Sequence, residues 1–389
     1  MTSVRLRLLI LALTPLIVLM PLLLILGMSR WTADYDKVLI ANVESELKIA
    51  NQYLSRLLAQ TGDELDAVAG SVEFSQWLGR PDPELATFFD STRKQLDLDF
   101  LKFLPIEAAI EAGEDWPVIA RASRGSSSVE IDVFSNARLA TFNDALPVRT
   151  QVPLVDTPAA VPTERKIEDR GMVVHAASPV DLNGTRGVLV GGMLLNRNLD
   201  FIDTINDLVY LNAATGGDRQ GTATLFLDDL RISTNVRLFE DIRALGTRVS
   251  AEVRKAVLID GRTWLDRAFV VNDWYISAYQ PITDSFGERV GMLYVGFLEA
   301  PFAEAKRAAF WWMLAAFFAV LALSAPVFLW LARGIFSPLE RMTKVAVSSP
   351  HLTLPTAPSL SLPVGAATLK PKKTPPENPT ATAAATASE

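Results

Sequence analysis

The sequence predicts an α+β protein: two tandem modules with antiparallel sheets, led by a long N-terminal helix and flanked by two transmembrane helices. Three observations carry that prediction. Two apolar runs, residues 8–28 and 308–332, hold no charged residue, and about 20 such residues in a helix cross the ~30 Å hydrocarbon core of a bilayer. A strand–turn–strand pattern occurs twice, about 100 residues apart. Residues 30–78 keep apolar positions at helical spacing over many turns.

The spans come first. Arg5 and Arg7 precede the first run, and Arg333, Arg341 and Lys344 follow the second. Basic residues beside spans favour the cytoplasmic side, so residues 1–7 and those after 332 are expected inside and the large middle segment outside. Lys306 and Arg307, before the second run, oppose that assignment, but two spans still put both termini on one side. Trp311, Trp312 and Trp330 near the ends of the second run suit an interface. Residues 1–28 also invite a reading as a cleaved leader. The apolar run is longer than a leader's core of about 7–15 residues, and no Ala-x-Ala site follows, so a retained anchor is expected. Pro15 and Pro21 are tolerable where neighbouring groups satisfy the freed carbonyls.

Composition narrows the function classes. The 389 residues include no cysteine, so the outer segment folds without a disulfide. A net charge of −7 gives no reason to expect nucleic acid. No second His or Cys stands at metal spacing to His175, which excludes a zinc site; no other metal and no cofactor is expected. Gly216-Gly217-Asp218 departs from a cyclase signature at Arg219-Gln220, and neither a phosphate loop nor a Gly-x-Ser-x-Gly elbow occurs. No enzyme is expected.

Between the spans, residues 30–78 read as one helix. Val43, Leu47, Ala50, Leu54, Leu57, Thr61, Leu65 and Val68 follow 4-3 spacing, with Leu65 one place off register. That seam suits either a partner helix in a dimer or the protein's own sheet. Short strands are expected at 99–105 and 116–122, a loop at 125–128 and a helix over 132–146. An irregular excursion is expected over 147–162, which holds four prolines. Two clearer strands, 172–179 and 187–195, flank Asn183-Gly184, a pair that readily takes positive φ in a hairpin turn. Residues 200–211 read as a helix N-capped by Asp200. Strands follow at 222–227 and 231–235, a strand or turn at 246–250, a helix at 251–258 and a strand at 267–271. Then Trp274-Tyr-Ile-Ser-Ala-Tyr-Gln-Pro-Ile282 repeats residues 172–180, with Ala278 on Ala176 and Pro281 on Pro179. After a turn two residues longer, 291–298 repeats 187–194, with Gly296 on Gly192. The repeat divides the segment into a membrane-distal module, 79–212, and a membrane-proximal one, 213–304.

This arrangement resembles the double Cache sensors of bacterial histidine kinases and chemoreceptors. The resemblance rests on 221–302: Ala223-Thr-Leu-Phe-Leu, Ile232-Ser-Thr-Asn-Val236, Gly246-Thr-Arg-Val-Ser250, Arg267-Ala-Phe-Val-Val271 and the second hairpin. The distal module matches through its terminal hairpin. The resemblance implies PAS-like modules behind a long helix, with a ligand cavity between sheet and loops. Arg237, Arg248, Trp264, Arg267, Tyr275 and Tyr279 stand near the segments that would line it. An arginine fork with aromatic rings suits an organic acid or an amino acid. Core packing of the aromatics and solvation of the arginines compete with that reading. His175, mid-strand in the distal hairpin, is a further ligand candidate, though a lone strand histidine usually just packs.

After the second span, Arg333-Gly-Ile-Phe-Ser-Pro-Leu-Glu-Arg-Met342 resembles the opening of a HAMP linker, a Pro-Leu turn into an amphipathic helix, here only over 333–347. Residues 348–389, rich in Pro, Ala and Thr, are expected to be disordered. The only histidine after the span, His351, sits beside Pro350, and no ATP-binding domain follows. The expectation is a receptor input module in a bacterial inner membrane, sensing a small extracytoplasmic molecule as a homodimer. It lacks its own transmitter, either as a truncated sensor kinase or chemoreceptor or because a separate signalling partner takes the output. The alternative is a membrane-tethered binding or scaffold protein acting through the seam at 43–68.

Overall fold

The computed structural model describes residues 4–78, 80, 82–182, 184–210, 221–239 and 242–347. Its first element, α1 (Val4–Ala69), is one unbroken 66-residue helix. It runs from the apolar run into the amphipathic stretch because no proline follows Pro21 until Pro81. It stops at Ala69 rather than near residue 78. Ser71 there caps a separate helix, α2 (Val72–Trp77), its Oγ accepting the Phe74 N–H at 3.0 Å.

After α3 (Asp82–Gln95) comes β1 (Phe100–Pro105), as expected at 99–105. Residues 116–122 are not a strand. They belong to a helical pair, α4 (Ile106–Asp115) and α5 (Pro117–Ser123). Pro117 occupies the first turn, where its missing N–H costs nothing, and Val118, Ile119 and Ala122 bury one helical face. The expected helix over 132–146 is also corrected. Residues 128–134 form β2 (Ser128–Phe134), then Ser135 caps the short α6 (Asn136–Ala140), followed by α7 (Leu146–Thr150). Val129, Ile131 and Val133 alternate onto the same cluster, so period two prevails. The proline-rich stretch holds only the end of α7 and β3 (Val152–Pro153), which pairs with β4 (Ile167–Glu168). The hairpin follows as β5 (Gly171–Leu182) and β6 (Thr185–Leu194), with Gly184 at φ +79°; Asn183 lies outside the described residues.

In α8 (Leu199–Tyr210) the cap is Asn198, not Asp200: Asn198 Oδ1 accepts the Phe201 N–H at 3.0 Å. Leu211 and the Gly216-Gly217 pair lie outside the described residues. The second sheet is built from β7 (Gly221–Leu227), β8 (Leu230–Thr234), then, after the small pair β9 (Arg237–Phe239) and β10 (Ile242–Arg243), from β11 (Trp264–Val270), β12 (Asp273–Thr283) and β13 (Arg289–Leu298). Before β11, α9 (Ala251–Arg254) runs into a π-helical turn, Lys255–Ile259. The last element, α10 (Ala300–Val347), stays helical through Pro338, so the expected Pro-Leu turn is absent. The proline forfeits one backbone bond there, to the Gly334 carbonyl. The tail expected after residue 347, with His351, lies outside the described residues.

The sheets share a strand order. The distal one reads β1-β6-β5-β2 and the proximal one β11-β12-β13-β7-β8, all antiparallel. In each, the sheet's first strand lies beside its last, the last beside the penultimate, and the penultimate beside the strand that precedes it in the sheet's chain order; the proximal sheet adds β8. The repeat holds residue by residue: His175 faces Gly192 across the distal hairpin as Ser277 faces Gly296 across the proximal one. Glycine is required in the first pair, where a Cβ would stand 1.9 Å from the Val174 carbonyl oxygen.

Ile10–Ser324 form one compact unit with both sheets; the N-terminal end of α1 and the C-terminal end of α10 lie outside it. The helical stretches Ile17–Ala69 and Ala300–Phe328 are long and apolar enough to cross a membrane. Between them the seam of α1 is filled by the protein itself. Leu39, Val43, Leu47, Ala50 and Leu54 join Ala223, Leu225, Ile276, Leu293 and Val295 of the proximal sheet. Leu65 and Ala69 join Ala176, Val180 and Leu189 of the distal one. Positions 43–65 of the seam are buried except the half-buried Leu57, and Val68 is half-buried. A partner helix cannot use that surface. Leu47→Ala therefore lowers stability by about 2–5 kcal/mol. Equilibrium unfolding of the detergent-solubilised chain checks this, with a loss independent of protein concentration.

Candidate ligand site

Period-two alternation gives the proximal sheet two unlike faces. Ala223, Leu225, Ile276, Ala278, Leu293 and Val295 pack toward α1. Phe226, Tyr275, Tyr279, Met292 and Tyr294 point the other way, under Val253, Ala256 and Val257 of α9 and the π-helical turn, and under Val236, Ala244 and Val249. Arg231 of β8, opposite Phe226 in the strand register, enters this second face.

Arg231 is 2 % exposed and is the largest fully buried side chain. Its Nη1 donates to Thr247 Oγ1 at 2.6 Å, and its guanidinium carbon lies 5.1 Å from the Phe226 ring centre. Nε has no hydrogen-bond partner, and no carboxylate pairs with the cation among the described residues. Burial pulls its pKa down from the ordinary arginine value. An arginine still stays charged in a protein, so an uncompensated buried cation is held here at a penalty of several kcal/mol. The surrounding phenols cannot neutralise it. Burial pushes Tyr275 up, Tyr294 further up, and Tyr279 to about 12, so all three are neutral donors near pH 7. The Tyr279 and Tyr294 rings are 4.7 Å apart, and Trp264, opposite Tyr279 in the register, has a buried Nε1 without a partner. The face is rich in donors and offers no carboxylate to its cation. Its chemistry fits an anion.

Of the residues expected at the site, Trp264, Tyr275 and Tyr279 reach this face and the three arginines do not. Arg267 points the opposite way, because alternation along β11 gives the aromatic face to Ala268 and Val270. It pairs with Glu299 at 2.7 Å and covers Trp274. Arg248 is bound to Asp229 by two nitrogens, at 3.1 and 2.7 Å, beside a cleft of about 570 Å³ bordered by residues 154–166. Arg237 is exposed on β9. In the sequence Arg231 reads as one more surface charge. Its signal is that it stands alone in Leu230-Arg-Ile-Ser-Thr234, a strand covered on both faces.

His175 belongs to the other module and is fully buried. Its Nδ1 lies 2.7 Å from Asp132 Oδ2, and Asp132 Oδ1 accepts the Ser285 hydroxyl at 2.7 Å, tying the distal sheet to the turn between β12 and β13. Its Nε2 has no partner among the described residues and lies among Trp116 and Phe134. Arg138 Nε, beside Trp116 and Phe142, is likewise buried and unpartnered.

Replacing Arg231 measures the cost of the buried charge. Thr247 keeps its own acceptor, the Ala244 carbonyl at 2.8 Å, when the guanidinium is removed. Arg231→Met is thus expected to leave the ligand-free melting temperature unchanged or to raise it, because an apolar side chain of similar size removes a buried charge. Differential scanning fluorimetry checks the sign.

Residues 193–309 match the family model for single Cache domain 3. No curated protein matches the chain. Among solved structures, the chain is similar to the periplasmic domain of Vibrio cholerae LuxQ, at 13 % identity and TM-score 0.37, over 66 % of this chain and 99 % of that one. It is also similar to the ligand-binding domain of the Pseudomonas aeruginosa amino acid chemoreceptor PctB with L-Gln, at 13 % identity, TM-score 0.28, and 68 % and 90 % coverage. A third is the sensory domain of the Campylobacter jejuni chemoreceptor Tlp3 with isoleucine bound, at 11 % identity, TM-score 0.32, and 70 % and 95 % coverage. On the family match, the stretch from residue 193 to residue 309, which holds the donor-rich face of the proximal sheet, is a Cache domain of the single Cache 3 type.

Proposed function

We propose that this chain is the input portion of a membrane-anchored receptor, and that its proximal module takes a small carboxylate from the extracytoplasmic side against Arg231. The observation that carries the reading is the buried, unpaired guanidinium. A carboxylate would supply the missing acceptor for Nε and neutralise the charge, with Tyr275 and Tyr279 as further donors and the Tyr294 ring as a wall. Organic acids and amino acids both carry that group. β13 ends at Leu298 and α10 begins at Ala300, so a shift of the strand under a ligand moves the helix that leads to the membrane. The ligand moves that equilibrium only by its differential affinity for the two states.

In this reading both apolar helices span a bacterial inner membrane, the module lies outside and both ends lie inside. The absence of cysteine makes single-cysteine reporters unambiguous. Ser126→Cys is expected to react with a membrane-impermeant maleimide in intact spheroplasts, and Thr343→Cys only after permeabilisation. The reverse pattern would invert the topology. The competing reading, a tethered scaffold acting through residues 43–68, lacks its surface, since that seam is filled. A homodimer would use another face of α1.

Ligand binding is tested by thermal shift of the full chain in nanodiscs against organic acids, amino acids and their amides. At a hundredfold excess over Kd a ligand stabilises by about 2.7 kcal/mol. Carboxylates are expected to stabilise the wild type, their amides are not, and Arg231→Met is expected to lose the effect. Stabilisation that survives in Arg231→Met would move the site elsewhere. The specific alternative is the distal module, where the free His175 Nε2 and Arg138 Nε stand among Trp116, Phe134 and Phe142. A shift abolished by His175→Gln but not by Arg231→Met would identify that site.

A further inference from the structure

Glu46 lies on α1, outside the apolar run, and is half-buried against the proximal module. Its Oε2 is 3.0 Å from the hydroxyl of Tyr210, the last residue of α8, and that hydroxyl is also 3.1 Å from the Gly296 carbonyl of β13. Thr222 Oγ1 lies 3.1 Å from the same carbonyl and 3.1 Å from the Tyr294 hydroxyl. Five groups from α1, α8, β7 and β13 thus share one short chain of hydrogen bonds.

Counting hydrogens shows what the chain requires. Each hydroxyl has one to give. Tyr294 can donate to Thr222, and Thr222 to Gly296. Tyr210 cannot donate to Glu46 and to Gly296 at once. If Glu46 is a carboxylate, it can only accept, so the Tyr210 hydrogen turns to it and the contact to Gly296 loses its donor. If Glu46 is protonated, its O–H donates to the Tyr210 oxygen, the Tyr210 hydrogen goes to Gly296, and every link is made.

We propose that Glu46, Tyr210 and the Gly296 carbonyl form a proton-binding site, whose occupancy sets how firmly the membrane-leading helix α1 is held to the strand that feeds α10. The proton bridges α1 to β13 through α8. Ionisation limits the hydrogen-bond chain from Glu46 to α8, with the apolar packing of α1 intact, and frees one side of the Gly296 carbonyl. The site is independent of any carboxylate at Arg231, since a proton alone fills it.

The electrostatics agree with the geometry. Burial pushes Glu46 up to about 7, opposed by the Tyr210 hydrogen bond. The ionisable groups facing it are Tyr210 from α8 and, through Thr222, Tyr294 from β13. Burial raises both phenols, so neither ionises near pH 7. On α1 itself Glu44 and Lys48 pair with each other at 2.8 Å and stay partly exposed. No described cation contributes to the shift of Glu46. Because the folded value lies above the unfolded one, the stabilisation from the proton is complete below about 4.5 and is lost as the pH rises through about 7.

The test uses the full chain in nanodiscs, infrared difference spectroscopy between about pH 5 and about pH 9, and fluorine NMR of the fluorotryptophan-labelled chain, which resolves Trp31 from the other tryptophans. Trp31 stacks on Tyr35 of the same helix at 5.3 Å. A protonated-carboxyl C=O band is expected to vanish with a midpoint near 7, to be absent in Glu46→Gln and to persist to higher pH in Tyr210→Phe, which removes the opposing hydrogen bond. The Trp31 resonance, assigned by its loss in Trp31→Phe, is expected to shift with the same midpoint and to be pH-independent in Glu46→Gln. Both variants nearly preserve shape, and a melting curve at low pH verifies that they fold. A Glu46 midpoint in the ordinary carboxylate range overturns the proton site. A midpoint near 7 with an unresponsive Trp31 overturns its coupling to the helix.

Discussion

Burial of one stripe on α1 holds the rest of the molecule in place. The helix offers Leu39, Val43, Leu47, Ala50 and Leu54 to the proximal sheet and Leu65 and Ala69 to the distal one. A sheet needs both faces covered when neither is polar, and α1 supplies the cover on one face of each. The second faces are then free to differ. The distal sheet closes under α4, α5 and α6 with apolar contacts such as Val118, Ile119 and Leu139. The proximal sheet closes over a cation.

That difference follows from what covers each face. The segment from Val236 to the end of the π-helical turn brings Val249, Val253 and Val257, which seal Arg231 from water without offering it a carboxylate. The tyrosines around it are neutral and wall it in. An apolar residue would fill the same space at lower energetic cost. The same sheet meets both apolar helices, α1 by packing and α10 through the chain itself. Arg231 lies on one face of that sheet and Glu46 on the side of α1. Tyr294 takes part in both, ringed by the aromatic cluster and hydrogen-bonded to Thr222.

Much of the fold was legible before any coordinates. The hairpin repeat shows in the sequence because strand pairing works through local alternation and glycines that no other residue can replace, as at Gly192. Its register then holds to the residue, with His175 on Ser277 and Gly192 on Gly296. The expectations that failed were those in which two local patterns compete. Residues 116–122 have strand-like composition, but Pro117 and the buried face of Val118, Ile119 and Ala122 make a helix. Residues 132–146 look helical until the alternation of β2 and the cap at Ser135 divide them.

The sequence by itself determined the two apolar helices, the long amphipathic helix, the repeated hairpins and the aromatic content of the proximal face, because each is written in residues near one another along the chain. Only the tertiary structure decided that the seam of α1 is filled by its own sheets. It also decided that Arg267 and Arg248 pair with carboxylates while Arg231 pairs with none among the described residues, and that Glu46 meets Tyr210. The reason is physical. Whether a charge is solvated, paired or stranded depends on what lies across from it, and those partners come from segments tens to hundreds of residues away.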